Sequence, residues 1–229
     1  MRPKAVIFDA YGTLLDVNAA ARGVAQSGRD PLFAQNWSAV AQIWRTKQLE
    51  YSWLRTIADH HADFWQITQD SLTYALEYYD LPTAGETAQA LLDLYWNLDA
   101  YEDAAPALQA ARSLGLPTGI LSNGTHDMLN AAAQSGGLTA HLDVILSIDD
   151  VGRYKPCDQV YSMVTEQFSI APQEVLFVSS NGWDIAGASG FGFRTIWVNR
   201  AGLPQDRLFA APHRIAPSLI DFERYLHDI

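Results

Sequence analysis

Cysteine is nearly absent from this chain, and cations are scarce. A single cysteine, Cys157, stands among 229 residues, so no internal disulfide can form. That composition suits a reducing compartment. As a nucleophile Cys157 is unsupported, because no histidine lies in a recognisable partner motif. Lysine and arginine number 15 against 26 aspartates and glutamates, a formal charge of −11. A general nucleic-acid binder draws its affinity from many Lys and Arg contacts to phosphates, and that class is excluded. No basic amphipathic stretch suggests a membrane surface. Long apolar runs are missing too: in "MRPKAVIFDAYG" only Ala5 to Phe8 precede Asp9, too few for a signal-peptide core or a membrane span. These absences predict a cytoplasmic protein with neither nucleic acid nor membrane as partner. An acidic protein that takes a small anion must gather its few cations in one place, so each Lys or Arg inside a motif is informative.

What is present is the material of a folded core. Hydrophobic residues make up 48% and charged residues 18%, an ordinary globular balance. The length allows one substantial core, or a core carrying a smaller insert. Short apolar runs at Ala5 to Phe8, Thr118 to Leu121, Val144 to Leu146, Val175 to Val178 and Thr195 to Val198 predict strands. Helical patterns at Ala104 to Leu114, His126 to Ser135, Asp158 to Phe168 and Asp184 to Ser189 alternate with them. The alternation predicts an α/β fold with a doubly wound parallel sheet. Between the first two strands the pattern changes. "AVAQIWRTKQLEYSWLRTIADHHADFW" and "DSLTYALEYYDL" are helical by composition and spacing, with "LPTAGETAQ" as a joint between helices. The expected organisation is a core from residues 1–15 and 99–229, and an inserted helical cap from residues 16–98.

In open α/β sheets ligands bind at the carboxyl ends of the strands. Those ends are polar here: Asp9 after the first, Ser122 and Asn123 in "LSNGT" after the second, Lys155 in "SIDDVGRYKP" after the third, and Ser179, Asn181 and Asp184 in "VSSNGWD" after the fourth. Taken singly, each has a bland explanation as a turn acceptor, a cap or a solvated loop charge. Four strand ends converging on one rim carry more weight. The pair His60 and His61 invites a metal reading, but neighbours on a helix point about 100° apart and no third ligand is evident.

"FDAYGTL", "LSNG", "YKP" and "SSNGWD", in this order and spacing, resemble the haloacid dehalogenase superfamily, and more narrowly its L-2-haloacid dehalogenase (type II) branch. The cap stretch "IWRTKQLEYSWLR" shares in the resemblance, which therefore spans most of the chain. Its chemistry separates the branches. A phosphatase on this scaffold uses the first Asp as nucleophile and an Asp two residues later as the acid that protonates the departing alkoxide; Tyr11 stands at that place. A halide leaves without a proton. Phosphatases also hold Mg²⁺ with adjacent acids in the last motif, where this chain has Asp184 alone, behind Asn181 and Trp183. The resemblance thus implies a reaction with neither metal nor cofactor. Its substrates would be a small-molecule 2-haloacid and water, and its products a halide and a D-2-hydroxy acid formed with inversion. Asp9 is the expected nucleophile, forming an aspartyl ester, and Asp184 the base for water, oriented by Ser179 or Asn181.

Lys155 would lower the Asp9 pKa by charge. By resemblance Thr13 and Ser179 orient the Asp9 carboxylate, Tyr161 brings its hydroxyl near Lys155, and Ser122 with the backbone at Ala10 and Tyr11 holds the substrate carboxylate. Arg45, sharing a helical stripe with Leu49 and Trp53, is the expected halide partner, with Asn123 as second donor. Tyr11, Leu49, Phe64 and Trp183 would wall the pocket. Thr46 occupies a position where the family often has Gln. A homodimer is expected, since Trp- and Tyr-rich cap helices could supply the face. Two other functions stay open at this point: a phosphatase on a small phosphomonoester, and a non-catalytic binder of small organic anions.

Overall fold

The structure, a computed structural model, describes residues 2–28 and 30–228. Six strands form one parallel sheet: β1 (Ala5–Phe8), β2 (Thr118–Ser122), β3 (Val144–Ser147), β4 (Val175–Ser179), β5 (Arg194–Val198) and β6 (Arg214–Ala216). Their order is β3-β2-β1-β4-β5-β6, every neighbouring pair parallel. The chain starts in the middle and winds outward in both directions. The topological switch point therefore lies between β1 and β4, where such sheets open a ligand crevice. β1 is fully buried, and Phe8 pairs with both Ile120 and Val178. Its near-continuous apolar character is that of a strand covered on both faces.

Among the described residues nine α-helices cover the sheet or form the insert. After β1 come α1 (Val17–Gln26), α2 (Pro31–Ala58), α3 (Phe64–Tyr78) and α4 (Glu86–Asp93), with no sheet strand among them. The crossover helices are α5 (Ala104–Ser113), α6 (His126–Ser135), α7 (Asp158–Phe168) and α8 (Gly182–Phe191), and α9 (Phe222–Asp228) closes the fold. The insert leaves and rejoins the core at one point: Asp16 N–H donates to Asp99 O at 2.9 Å, and Tyr101 N–H to Leu14 O at 2.9 Å.

The long α2 begins earlier than its apolar spacing predicts. Asp30 caps it by accepting from Phe33 N–H, and Pro31 takes the first helical position, where a missing N–H is harmless. It also ends sooner. Asp59 adopts a left-handed conformation (φ 58°), and Asp63 caps α3. The helical reading through "DHHAD" is thereby corrected: His60 and His61 lie in an inter-helix loop, where the geometry of helical neighbours does not apply. The buried stripe of α2 is Trp44, Gln48 and Ser52, one residue ahead of Arg45, Leu49 and Trp53. Those three are half-buried instead.

Gly119 lies inside β2 because nothing larger fits. A Cβ there would stand 2.6 Å from Val144 Cγ1 and 2.9 Å from Val144 O on the neighbouring strand. Gly119→Ala should force the β2–β3 pair apart and lower stability by about 1–3 kcal/mol. An unchanged denaturant midpoint would refute this.

Candidate active site

β1 delivers Asp9 to the switch point, and the turn behind it fixes its direction. Ala10 O accepts the N–H groups of Thr13, Leu14 and Leu15 at 3.2, 2.9 and 3.0 Å, while Gly12 adopts φ 83°, a value suited to glycine. The tight turn places Thr13 over Asp9. Thr13 Oγ1 donates to Asp9 Oδ2 at 3.0 Å and accepts from Ser180 N–H at 2.8 Å. Asn181 Nδ2 donates to the same Asp9 oxygen at 2.8 Å. On the other oxygen, Lys155 Nζ approaches Oδ1 at 3.2 Å.

Lys155 also reaches Asp184 Oδ2 at 2.9 Å, and the three groups are buried, with Lys155 1% and Asp184 0% exposed. One ammonium thus sits between two carboxylates and over the ring of Phe177, whose centroid lies 4.9 Å from Nζ. Asn123 steadies the lysine from behind, its Oδ1 accepting Lys155 N–H at 3.0 Å. Ser122 Oγ accepts from Gly124 N–H at 3.3 Å, which leaves its hydroxyl hydrogen available. Tyr161, from α7, donates to Asp184 Oδ1 at 2.8 Å. Burial, then the Asp184 charge, holds the Tyr161 hydroxyl well above the usual phenol range, so it stays a donor.

Burial pushes the Asp184 carboxyl up to about 6, with the Asp9 charge acting in the same direction and Lys155 and the Tyr161 hydrogen bond opposing. Tyr11 is 3% exposed and raised above its ordinary pKa by burial, then by Tyr95 and Asp9. It is a poor acid at neutral pH, and its hydroxyl has no hydrogen-bond partner. Its ring lies 5.8 Å from Phe64 and 5.7 Å from Tyr95.

From the insert, Arg45 on α2 donates through Nη2 to Asn181 Oδ1 at 3.4 Å. One amide therefore touches the guanidinium with its oxygen and Asp9 with its nitrogen. Trp53 and Trp183 meet edge to face across the same junction, centroids 5.5 Å apart. The β3–α7 loop holds the insert in place: Arg153 Nη1 donates to Thr56 O at 3.1 Å, and Tyr154 OH donates to Ala62 O at 2.6 Å.

Of the residues singled out from sequence, Asp9, Thr13, Arg45, Lys155, Tyr161, Asn181 and Asp184 form one hydrogen-bonded network, joined by Asn123 at the lysine amide. Ser179 is placed differently from the expectation. Its Oγ accepts Asn181 N–H at 3.1 Å, and Asn181 is the residue that reaches Asp9. Leu49 and Thr46 lie on α2 with no ring contact or bond into the network beyond Thr46 Oγ1 to Gln42 O at 2.9 Å. Two residues were missed. Gln48 accepts from Arg45 Nη1 at 2.9 Å, and its one sequence signal is a polar residue four places from both Trp44 and Ser52. Arg200 donates to Thr13 O at 3.0 Å and makes a two-pronged pair with Asp103 at 2.7 and 2.9 Å. As a cation just past β5 it followed the strand-end rule that exposed Lys155.

Among the described residues no cluster of three or more His, Cys, Asp or Glu side chains is placed to hold a metal ion. The rim does not fit Mg²⁺, which demands several oxygen ligands in near-octahedral array: its two carboxylates, Asp9 and Asp184, already bracket an ammonium.

Doubly wound sheet and buried rim together define a class, an α/β protein with a charged, hydrogen-bonded crevice at its switch point. The chain belongs to the haloacid dehalogenase-like hydrolases, whose family model matches residues 3–192. It is 43% identical over 223 residues to (S)-2-haloacid dehalogenase 1 of Pseudomonas sp. (strain CBS-3), covering 97% of this chain and 96% of that one. A dehalogenase crystal structure 41% identical in sequence superposes with a TM-score of 0.91 over 97% of this chain and 96% of its own. The L-2-haloacid dehalogenase of Xanthobacter autotrophicus, solved with chloropropionic acid covalently bound, matches at 35% identity and a TM-score of 0.86 over 99% of each chain.

The Tyr161 hydrogen bond lowers the Asp184 pKa, so Tyr161→Phe should move that carboxyl further above about 6. Carboxyl ¹³C NMR titration of the labelled protein would read the shift, and a downward move would contradict the assignment.

Proposed function

We propose that the protein is an (S)-2-haloacid dehalogenase, converting short L-2-haloalkanoates to D-2-hydroxy acids through an ester on Asp9. The observation that carries this is the pairing of a buried carboxylate at the switch point with a non-acidic Tyr11 two residues on. The relatives named above act on 2-haloacids by their names, and one was solved with chloropropionic acid covalently bound.

In the first step Asp9 attacks the α-carbon from the side opposite the halogen; the carbon–oxygen bond forms as the carbon–halogen bond breaks, and the halide leaves with the bonding pair. Oδ1, which accepts from Lys155 alone, keeps a lone pair for this attack, while Oδ2 is held by Thr13 and Asn181. The ammonium beside it, 3.2 Å from Oδ1, faces the nucleophile in a site shielded from bulk water. The substrate carboxylate sits against Ser122 and the N–H groups of Ala10 and Tyr11. Arg45 receives the halide, seconded by Asn123 through its amide nitrogen, since its oxygen is taken by Lys155 N–H. Phe64, Leu49, Trp183 and the Tyr11 ring surround the alkyl group.

In the second step Asp184 takes a proton from water, whose oxygen adds to the Asp9 carbonyl carbon. Collapse expels the hydroxy-acid alkoxide, which recovers the proton from Asp184; the other proton goes to solvent as the Asp9 carboxylate re-forms. Lys155 and Tyr161 aim Asp184 for this task. The helical insert from residues 16–98 acts as the cap that supplies Arg45, residues 1–15 and 99–229 being the core. A cytoplasmic location and a homodimer belong to this reading, supported by the single cysteine and by the exposed Tyr74 and Tyr78 on α3. No helix among the described residues is long and apolar enough to cross a membrane.

L-2-chloropropionate should release chloride, whereas p-nitrophenyl phosphate with Mg²⁺ should release no phosphate. Single turnover in ¹⁸O water should place label in the peptide containing Asp9, and Asp9→Asn should reduce halide release to background. Label appearing in the hydroxy acid of the first turnover would sink the ester mechanism.

A pH dependence follows from Asp184, whose carboxyl is pushed up to about 6. As a base it must be ionised, so ester hydrolysis should slow on acidification, with a midpoint below that of the free site because the ester removes the Asp9 charge that helps raise it. Acid-quenched mass spectrometry should find the substrate adduct abundant at pH 5 and scarce at pH 8. Equal adduct at both would exclude Asp184 as the base.

A further inference from the structure

Gln48 is an amide buried in the insert, 0% exposed, on the side of α2 that faces α3. Buried amides must place four hydrogen-bonding positions, so a buried Gln in an otherwise apolar stripe is either costly or positioned for a purpose. Its surroundings fix which way the amide points. The Thr68 hydroxyl donates to Phe64 O at 2.7 Å, so toward Gln48 its oxygen can act only as acceptor. The group 2.8 Å from it must then be the Gln48 Nε2 amide, and Oε1 is left to accept Arg45 Nη1 at 2.9 Å. Tyr95 OH, 3.3 Å from Nε2 and 3.4 Å from Oε1, closes the remaining side.

The bonds run outward from Arg45 in both directions, donor to acceptor, toward the Phe64 carbonyl on one side and Asp9 on the other. Together they link the Phe64 carbonyl through Thr68, Gln48, Arg45 and Asn181 to Oδ2 of Asp9. Arg45 is half-buried and, among the described residues, makes two hydrogen bonds to protein groups, one with Gln48 on its own helix and one with Asn181 on the core. Without the Gln48 acceptor, a long flexible side chain would hang on a single 3.4 Å contact.

We infer that Gln48 is a positioning residue for Arg45: it fixes the guanidinium where the halide departs, and so acts on carbon–halogen cleavage and not on ester hydrolysis. The inference rests on the dehalogenase reading above. A poorer leaving group depends more on electrophilic help, so loss of positioning should weigh more on chloride than on bromide.

The test is single-turnover kinetics with L-2-chloropropionate and L-2-bromopropionate, following adduct formation and decay separately. Gln48→Met keeps the volume and removes the acceptor; losing one bond to a charged group should slow adduct formation about tenfold with the chloride. With the bromide the loss should be about threefold, and decay of the adduct should be unchanged. Thr68→Val keeps the shape of that side chain and removes the acceptor that orients the amide; it should give the same halide ordering at smaller size, and it decides the matter if Gln48→Met does not fold. Equal slowing with both halides, a loss confined to adduct decay, or no loss in either folded variant would overturn the inference. Absence of halide release by the unsubstituted protein would instead sink the dehalogenase reading, and the role of Gln48 with it.

Discussion

The Lys155 ammonium between Asp9 and Asp184 is the contact on which the rest of the site depends. Taking three charged groups out of water is expensive, and removing one partner of such a group typically costs about 3–5 kcal/mol because a buried charge is left uncompensated. The fold surrounds the cluster accordingly. Thr13 and Asn181 satisfy one oxygen of Asp9, Tyr161 satisfies one of Asp184, and Asn123 holds the backbone of the lysine. Two carboxylates against one ammonium still leave a net negative charge, and the half-buried Arg45, linked through Asn181, brings the nearest further cation. On the proposed reading, a substrate anion enters a site whose cations are already engaged. It must therefore compete for hydrogen-bond donors, and that favours small carboxylates that Ser122 and backbone N–H groups can hold.

The two carboxylates differ by environment, and the proposed mechanism gives them different duties accordingly. Asp9 lies at a strand end with three donors around it, anchored and directed at the crevice. Asp184 lies in the first turn of α8, wholly buried, with its carboxyl raised to about 6. A raised carboxyl is a better base once ionised, and this is the property that ester hydrolysis requires. The phenol of Tyr161 stabilises the ionised form without being able to give up its own proton, so Asp184 can take a proton from water and return it.

Much of the sheet and most of the rim were legible in the sequence, because both follow from short-range rules. An apolar run of β-branched residues ending in a polar one is a buried parallel strand meeting a crevice, and β2 differs from its reading only by Ser122. β6 escaped because Arg214–Ala216 is a three-residue edge strand whose Ile215 faces solvent, leaving no apolar run to detect. The start of α2 was marked by Asp30-Pro31, a local cap signal, but the apolar spacing of the helix begins later and drew the boundary with it. Its end was hidden because Asp59, His60 and His61 are compatible with a helix until the left-handed turn is imposed from outside. Ser179 was assigned to the nucleophile on motif position, whereas the exchange with Asn181 is set by the turn into α8, a detail of backbone direction that spacing does not encode.

What could not be read at all was connectivity between distant segments. Gln48, Thr68 and Tyr95 belong to three separate stretches, and only packing of the helices brings the latter two within 3.4 Å of Gln48. Arg45 faces the same difficulty from the other side: helical spacing put it on a stripe with Leu49 and Trp53, yet its working partners are Gln48 three residues on and Asn181 in another layer. A side chain that bridges two layers has its energy divided between them. Its position therefore reports whether the layers are correctly seated, and Asn181 transmits that seating to Asp9 through the opposite end of one amide. In the proposed mechanism the guanidinium that would receive the halide thus owes its position to both layers, through Gln48 on one side and Asn181 on the other.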